Sequence, residues 1–320
     1  MEKTIDRILK MLVDSKEYLS GEFIGKELGI SRIAVNKQIK KLMESGIDIE
    51  VSRKGYKYKE NDSLTVQTLS KRLADIGINI PVFVEEVVST NTEVKKIYPE
   101  INKDFLFVAP KQLNGRGRLD RVFVSGLGGV YMTLCYKPHN LIVSDSLKIV
   151  LLTGLAVAKV LKKYTDNVAI KWPNDVFVCG KKISGILLES VVTENMTEAI
   201  FLGIGINITN EIPATLIDKV TSLKLENVEI MPREQLITEI IELLYNMLEV
   251  YQKEGFAPFL EEYTSLSMTI NHNVTVNNNG ITKSGFGVGL SEEGYLLLKN
   301  GDNIEKIILG DIEVWNVRFF

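Results

Sequence analysis

The chain has 320 residues, which is enough for two or three domains, and its 45% hydrophobic and 25% charged content is typical of a folded globular protein. Two cysteines outside any CxxC pair and two histidines argue against a disulfide framework or a structural zinc site. The net charge is −3, and because the sequence begins without an apolar signal region and its most apolar stretch, residues 147–161, is too short to span a bilayer, we expect a cytoplasmic protein with no membrane partner.

The first 60 residues are basic, with 13 lysines and arginines against 10 acidic residues, whereas the rest of the chain is acidic. Apolar spacing in this segment predicts three helices. Ser20 and Ser31 are placed to cap the second and third helices, with Gly29 in the turn between them. The third helix is expected to have a mostly apolar side made of Ile33, Val35, Ile39, Leu42 and Met43.

Two short strands are predicted next, at residues 47–51 and 55–58, around a basic turn. A helix, a helix-turn-helix and a basic hairpin are together typical of a winged helix-turn-helix DNA-binding domain, which we predict over residues 1–62. Its third helix would enter the major groove of operator DNA, and its turn would contact phosphates. The predicted DNA-contacting residues are Ser31, Arg32, Asn36, Lys37, Lys40, Arg53 and Lys54. The alternative is a small helical cap that binds nothing.

The middle of the chain alternates short apolar runs with helical patterns. Strand-like runs occur at 82–88, 105–108, 130–136, 168–170 and 199–208, and helical spacing occurs at 64–73, 147–161 and 235–251. This mixture predicts an α+β domain over residues 63–267. It contains neither a Walker A sequence nor GxGxxG, which argues against a P-loop NTPase and a Rossmann domain. The tail, residues 268–320, has short alternating segments between turns and predicts a small β-barrel.

Small polar residues follow two of these strands. Ser89, Thr90 and Asn91 come directly after the run at 82–88, and Gln112 follows the run at 105–108. Hydroxyl and amide groups at strand ends suit a neutral, hydrogen-bonding head group such as an amide or a urea. Equally, Ser-Thr-Asn is a common N-cap signature for a helix that begins near residue 93.

A loop rich in glycine and arginine follows, with Gly115, Arg116, Gly117, Arg118 and Arg121 within seven residues. Glycine lets a backbone come close to a ligand, and arginine brings planar donors that match carboxylate and phosphate oxygens. The loop therefore predicts a clamp for an anionic substrate. A solvated basic turn is the alternative for the loop taken alone.

Two more cations lie about 55 residues further on. Lys171 opens the run Lys171-Trp172-Pro173-Asn174-Asp175, and Lys182 follows a hairpin turn at residues 179–181. We expect both lysines on neighbouring strands, pointing into one cleft, with Asp175 orienting a lysine or helping to hold a metal. Alternatively, Lys182 is an ordinary turn lysine and Trp172 is ordinary core.

The chain resembles the biotin protein ligase family and, with its N-terminal segment, the members of that family that also repress biotin operons. The resemblance spans essentially the whole chain. It is carried by Ser89-Thr90-Asn91, Gln112, Gly115-Arg116-Gly117-Arg118, Lys171-Trp172-Pro173-Asn174-Asp175, Lys182 and Gly203-Ile204-Gly205-Ile206-Asn207. One position departs from the family, since Phe123 stands where a tryptophan is usual.

The resemblance implies a class II synthetase-like catalytic domain and an SH3-like tail. It implies that biotin is activated by ATP, with Mg²⁺ on the phosphates and no tightly bound metal, and that biotin is then transferred to a lysine of a biotin carboxyl carrier protein. It also implies repression of biotin synthesis genes, with biotinyl-5'-AMP as co-repressor and promoter of a homodimer. The alternatives are a biotin-sensing repressor without ligase activity and a ligase for a related acid such as lipoate.

Residue roles follow from the same resemblance. Biotin would be bound by Ser89, Thr90, Asn91, Gln112, Arg116, Gly117, Arg118 and Lys182. The phosphates would be contacted by Arg118, Lys182, Lys171 and Arg121, with Lys182 on the α-phosphate and Asp175 as a weak contributor to Mg²⁺ binding. The supporting cleft would be formed by Gly115, Phe123, Trp172, Asn174, Asp175, Gly185, Gly203, Gly205 and Asn207.

Overall fold

The computed structural model describes residues 4–15, 17–44, 47–59, 69–70, 73, 76–78, 86–138, 141–278, 280–308 and 310–314. The chain divides into two compact units, Met1–Phe83 with Met231–Thr238 and Val84–Ile230 with Glu239–Phe320. In the part of the chain that is described, no helix combines the length and the apolar character needed to cross a bilayer. The helix expected over residues 64–73 falls mostly outside the described ranges.

The first unit begins with three helices and a hairpin, as the sequence predicts. Its elements are α1 (Thr4–Asp14), α2 (Gly21–Leu28), α3 (Arg32–Glu44), β1 (Ile49–Ser52) and β2 (Gly55–Tyr58). The Oγ atoms of Ser20 and Ser31 accept hydrogen bonds from Phe23 N and Ala34 N, both at 3.1 Å, which confirms the two predicted caps. Gly29 ends α2 in the left-handed conformation at φ 68°.

The burial of α3 corrects part of the expected apolar side. Val35, Ile39 and Leu42 are buried in the core of this unit, where they pack with Ile8 and Leu12 of α1. Ile33 and Met43, by contrast, are 82% and 44% exposed. At about 100° of rotation per residue, Ile33 lies roughly opposite Val35 and Met43 lies about a quarter turn from Leu42, so both side chains point away from the core.

The second unit contains an antiparallel sheet that carries the site. Its strands are β3 (Phe105–Ala109), β4 (Val130–Tyr136), β5 (Val168–Lys171), β6 (Asp175–Val178), β7 (Lys181–Thr193) and β8 (Met196–Ile206). Within the described residues they form a six-stranded sheet in the order β3-β4-β8-β7-β6-β5. The strands predicted at 105–108, 130–136, 168–170 and 199–208 are therefore confirmed.

Helices cover the two faces of this sheet. Helix α4 (Thr90–Ile97) packs its Val94 against Phe105, Phe107 and Phe201 of β3 and β8. Helix α5 (Ser146–Leu161) is almost wholly buried, and its Gly154 faces Ile170 and Ile186 of β5 and β7. Because side chains alternate along a strand, residues 185, 187 and 189 of β7 lie on the face opposite to Ile186. The face that carries α4 is therefore the face that carries Gly185.

The remaining elements are α6 (Arg233–Glu254), α7 (Leu260–Leu266) and the strands β9 (Asn273–Asn278), β10 (Ile281–Leu290), β11 (Leu296–Asn300), β12 (Asn303–Ile307) and β13 (Asp311–Val314). The five strands form one antiparallel sheet in the order β12-β11-β10-β9-β13 among the described residues. The sequence prediction of a β tail is confirmed at this level. In the described part of the tail β12 and β13 are edge strands, so closure into a barrel stays a prediction.

Candidate active site

A cleft of about 820 Å³, including its open mouth, lies on the α4 face of the central sheet. It brings together most of the residues that the sequence predicts for substrate binding. These are Ser89, Thr90, Asn91, Gln112, Arg116, Gly117, Arg118, Arg121, Phe123, Asn174, Asp175, Lys182, Gly185, Gly203 and Gly205.

The floor of the cleft is made of glycines on two paired strands. Gly185 of β7 pairs with Gly205 of β8, and the ring of Phe123 lies directly on this pair. A Cβ on Gly205 would stand 2.6 Å from Phe123 Cε1, and one on Gly203 would stand 2.4 Å from Asn91 Oδ1. These glycines are therefore needed because the ring and the amide occupy the space that a side chain would take.

Gln112 joins the start of α4 to the arginine loop. Its Oε1 accepts hydrogen bonds from Thr90 N at 2.8 Å and from Thr90 Oγ1 at 3.2 Å. Its Nε2 donates to Ser125 Oγ at 2.8 Å, and Ser125 Oγ donates to Phe123 O at 2.9 Å. Ser89 occupies the N-cap position of α4 but makes no capping hydrogen bond with its side chain. The alternative interpretation of Ser-Thr-Asn as a helix N-cap thus explains why Ser89 stands at the start of α4. It does not give the Ser89 hydroxyl a role, because that hydroxyl makes no capping hydrogen bond.

The arginine loop is a folded turn. Phe123 N donates to Gly115 O at 2.8 Å, and Gly117 N donates to Arg121 O at 2.7 Å. Leu119 has φ 55°, a left-handed conformation that is uncommon for a branched side chain. Gly115 does not line the cleft, yet a Cβ there would stand 2.3 Å from Phe123 O. The loop therefore depends on close backbone approach at Gly115.

Two arginines of the loop are tied to other parts of the site. Arg118 Nη1 donates to Asn174 Oδ1 at 3.0 Å, and Arg121 makes a two-bonded ion pair with Asp311 of β13. Burial lowers the pKa of Arg118 below its usual range, and the negative charges of Asp175 and Asp311 oppose that shift. The lining holds four cations against these two carboxylates, so the cleft carries a positive excess that suits an anion.

Lys182 enters the cleft next to Asp175. Its Nζ lies 2.6 Å from Asp175 Oδ1. Lys171 pairs with Asp175 across β5 and β6, and its Nζ lies 5.3 Å from the centre of the Phe177 ring. Burial lowers the pKa of Lys171, while the charge of Asp175 raises it and that of Lys182 lowers it further. The two lysines are not on neighbouring strands, because β6 lies between β5 and β7.

Three other predicted residues do not line the cleft. Lys171 is the strand partner of Asp175, which does line the cleft. Trp172 is 1% exposed, and its Nε1 donates to Gly294 O at 3.0 Å. Asn207 is buried, and its Nδ2 donates to Thr221 O at 3.0 Å. Trp172 and Asn207 thus support the surrounding structure.

The described residues contain no group of three or more His, Cys, Asp or Glu side chains arranged to hold a metal ion. Asp175 and Asp311 are the acidic residues of the lining, and each is already paired with a cation. This donor set does not form a metal cage by itself. A divalent ion here would need oxygen atoms from a ligand.

Sequence reasoning missed five residues of the lining, namely Val122, Ile186, Leu187, Ile204 and Asp311. Ile186 and Ile204 are paired neighbours of the floor glycines, and their side chains lie on the other face of the sheet, so their chemistry gave no reason to place them at the cleft. Asp311 lies 190 residues after Arg121, and no local pattern marks it as a partner of the loop.

The first unit presents a separate basic surface. Arg32, Asn36, Lys37 and Lys40 are exposed on α3, and Arg53 and Lys54 are exposed in the β1–β2 turn. Ser31 is exposed but is used as the cap of α3. Arg32 Nη1 lies 3.5 Å from Glu22 Oε1, a solvent-exposed pair that a phosphate could replace.

Family models cover three parts of the chain. The biotin/lipoate A/B protein ligase family model matches residues 84–207. A model described as HTH domain matches residues 4–57, and the biotin protein ligase C terminal domain model matches residues 269–315.

Whole-length relatives agree with these matches. The chain is 32% identical over 307 residues to the bifunctional ligase/repressor BirA of Bacillus subtilis, covering 93% of this chain and 94% of that protein. It is 28% identical over 319 residues to BirA of Escherichia coli, covering 98% of both. The structure of biotin protein ligase from Aquifex aeolicus in complex with biotin and ATP matches with a TM-score of 0.63 and 28% identity, covering 73% of this chain and 97% of that one.

Proposed function

Because this chain belongs to the biotin protein ligase family, in its bifunctional ligase/repressor form, we propose that it activates biotin with ATP to biotinyl-5'-AMP and transfers biotin to a lysine of a biotin carboxyl carrier protein. The observation that carries this proposal is the division of the cleft. Asn91 lies against Gly203, with Thr90 and Gln112 bonded beside it, and these residues supply hydroxyl and amide groups. Lys182 lies against Gly185 and pairs with Asp175, Arg118 bonds the adjacent Asn174, and Arg121 completes this cationic part of the lining. A neutral ring and an anionic chain or phosphate would each meet matching groups.

The first chemical step requires positive charge in the cationic part of the cleft lining. The biotin carboxylate attacks the α-phosphorus of ATP, a bond forms between the carboxylate oxygen and phosphorus, and pyrophosphate leaves. Both reactants are anions, so their repulsion must be offset as they approach. We assign Lys182 to the α-phosphate, Arg118 and Arg121 to the phosphates or the biotin carboxylate, and Lys171 to a supporting charge as the strand partner of Asp175.

The second step needs no enzyme nucleophile. The amine of an acceptor lysine attacks the carbonyl carbon of biotinyl-5'-AMP, and AMP leaves as the amide forms. The mixed anhydride must be kept from water until then. The loop from Gly115 to Arg121, with Phe123 on the glycine floor, is the segment placed to cover it.

Mg²⁺ is proposed as a companion of the ATP phosphates. Magnesium prefers oxygen ligands and is commonly held by one or two carboxylates together with substrate phosphates. Asp175 is the carboxylate best placed to contribute, in exchange for its contact with Lys182. The ion would neutralise charge on the phosphates.

The N-terminal helix-turn-helix supports the second half of the proposal, repression of biotin synthesis genes. We propose that biotinyl-5'-AMP is the co-repressor and that it promotes a homodimer able to bind a palindromic operator. The support is a ligand-holding loop and a DNA-binding module in one chain. Operator affinity that does not change with biotinyl-5'-AMP concentration would contradict this coupling.

We propose the domain bounds 1–62, 63–267 and 268–320, with a class II synthetase-like fold for the second domain and an SH3-like fold for the third. The matched family segments, residues 4–57, 84–207 and 269–315, each fall within one of these domains. The antiparallel order of β9–β13 is compatible with a small barrel.

Biotin-dependent exchange of pyrophosphate into ATP tests the activity directly. Purified protein with Mg²⁺ should catalyse exchange with biotin and not with lipoate in a parallel reaction. Binding of biotin without exchange would favour the second candidate, a biotin-sensing repressor without ligase activity, which the unusual Phe123 motivates. Exchange with lipoate would favour a ligase for that acid.

A further inference from the structure

Glu189 of β7 lies outside the cleft lining but binds one of its walls. It is on the same face of the strand as Gly185 and Leu187, and it reaches α4. Its Oε2 accepts a hydrogen bond from Asn91 Nδ2 at 2.9 Å, and its Oε1 pairs with Lys95 Nζ. Asn91 and Lys95 are four residues apart, so both stand on one side of the helix.

The Glu189 carboxylate fixes the orientation of the Asn91 side-chain amide. An ionised carboxylate only accepts hydrogen bonds, so it must face the NH₂ group of Asn91 and not its oxygen. Burial alone would raise the pKa of Glu189, but the hydrogen bonds from Lys95 and Asn91 and the charges of Lys95 and Arg116 hold it below its usual value. Glu189 is therefore a fixed acceptor at neutral pH.

The oxygen of Asn91 is consequently directed into the protein. Asn91 Oδ1 lies 2.6 Å from Thr133 Oγ1, which is fully buried on β4, and against the backbone of Gly203. Thr133 Oγ1 also lies 2.8 Å from Thr90 Oγ1. The amide of Asn91 thus joins Glu189 to the hydroxyl pair at the start of α4.

The same network leaves Thr90 as an acceptor. Its backbone N–H donates to Gln112 Oε1, and because the one proton of Thr133 is given to Asn91 Oδ1, the one hydroxyl proton of Thr90 is shared between Gln112 Oε1 at 3.2 Å and Thr133 Oγ1 at 2.8 Å. A hydroxyl that has given up its one proton offers lone pairs to a ligand. A ring with N–H groups, such as a cyclic urea, would find an acceptor there without rearranging the wall.

We propose that Glu189, supported by Lys95, is a positioning residue for the substrate ring: it fixes the Asn91 amide and, through the buried Thr133, presets the Thr90 hydroxyl to accept a hydrogen bond from a ring N–H group. This inference rests on the proposed function for the identity of the ring. It assigns no chemistry to Glu189 itself, which acts through Asn91.

The test compares Glu189→Gln with Glu93→Gln. Glu93 is a matched control because its side chain is 24% exposed against 23% for Glu189, and its carboxylate pairs with Lys96 of the same helix, which does not line the cleft. A glutamine at 189 can donate as well as accept, so the Asn91 amide loses its single orientation. We expect the biotin Kd from calorimetry to rise roughly five- to tenfold in Glu189→Gln and to stay unchanged in Glu93→Gln.

Kinetics separate positioning from general damage. In Glu189→Gln the KM for biotin should rise with its Kd, while the KM for ATP and kcat at saturating biotin stay near the wild-type values. Thr133→Val removes the hydroxyl that bonds Asn91 Oδ1, with little change in side-chain volume. It should weaken biotin binding to a similar extent. In the double variant the two effects should be less than additive, because both act through Asn91.

Several outcomes would overturn the inference. They are an unchanged biotin Kd in Glu189→Gln, additive losses in the double variant, or a fall in kcat that matches the rise in KM. If Glu189→Gln does not fold, the biotin Kd and the kinetic constants of Thr133→Val and Lys95→Met test the inference in its place. Wild-type protein that binds biotin but shows no exchange would refute the ligase activity and leave the calorimetric test of Glu189 intact.

Discussion

Lys182 Nζ lies 2.6 Å from Asp175 Oδ1, with the lysine on β7 and the aspartate at the start of β6. A break in the strand register between Val176 and Phe177 brings the two side chains to the same face of the sheet. The carboxylate holds the ammonium group in the cleft before any ligand is bound. A phosphate could replace it as the partner of Lys182, since both are oxygen anions.

Replacing Lys182 with alanine should therefore damage activation more than binding. We expect Lys182→Ala to reduce biotin-dependent ATP–pyrophosphate exchange by roughly a hundredfold or more, as is typical when one donor to a developing charge is removed. The biotin Kd should change far less. Lys181→Ala is the control, because Lys181 precedes Lys182 in the chain but does not line the cleft. Equal losses of binding and exchange would show that the role of Lys182 is wrongly assigned.

The pair between Arg121 and Asp311 connects the arginine loop to β13. Both side chains are more than 40% exposed, so Asp311→Asn should change the free energy of unfolding by less than about 1 kcal/mol. It should raise the KM for ATP several-fold, because Arg121 is no longer held over the cleft. Glu305→Gln, which breaks the exposed pair with Lys283 in the same sheet, is the control. Identical kinetics in the two variants would exclude a role for this connection.

The glycine floor predicts a steric effect. In Gly205→Ala the new Cβ would press on Phe123 Cε1 at 2.6 Å, and the ring would have to leave the floor. We expect biotin affinity to fall roughly tenfold, about 1.4 kcal/mol, because the displaced ring no longer forms this wall of the cleft. Gly126→Ala is the control, because a Cβ there meets nothing within 4 Å. Calorimetric titration with biotin measures both, and equal affinities would mean that the Phe123 wall does not contribute.

Ile33 predicts a contact with DNA. It is 82% exposed and shares one side of α3 with Asn36, Lys37 and Lys40. An apolar side chain on such a surface suits the methyl group of thymine. The test uses a DNA duplex selected for tight binding to the wild-type protein. Ile33→Ala should lower affinity for this duplex roughly three- to tenfold without changing thermal stability. Met43→Ala, at the far end of the same helix, should have no effect on binding.

Uracil substitution in the selected DNA sharpens this prediction. Replacing the contacted thymine removes only its methyl group, so it should weaken binding by wild-type protein and leave binding by Ile33→Ala unchanged. If no single thymine behaves in this way, Ile33 does not read a methyl group, and its exposure has another cause.

Local patterns were sufficient for the elements that depend on short-range physics. The caps at Ser20 and Ser31, the turn at Gly29 and the buried helix at residues 146–161 follow from side-chain chemistry within a few positions. Ile33 shows where this fails. Apolarity predicts burial, but the position of Ile33 relative to Val35 and Ile39 turns it outward, and only the packing of α3 against α1 decides that orientation.

The sequence by itself determined the chemistry of the cleft: which residues carry positive charge, which offer hydroxyls and amides, and where glycine permits close approach. Only the tertiary structure decided how these groups pair. Asp311 meets Arg121 across 190 positions of the chain, and Glu189 meets Asn91 across 98. Such contacts depend on strand order and register, because a shift of one residue would turn Glu189 to the other face of the sheet. No pattern confined to a few neighbouring residues contains that information.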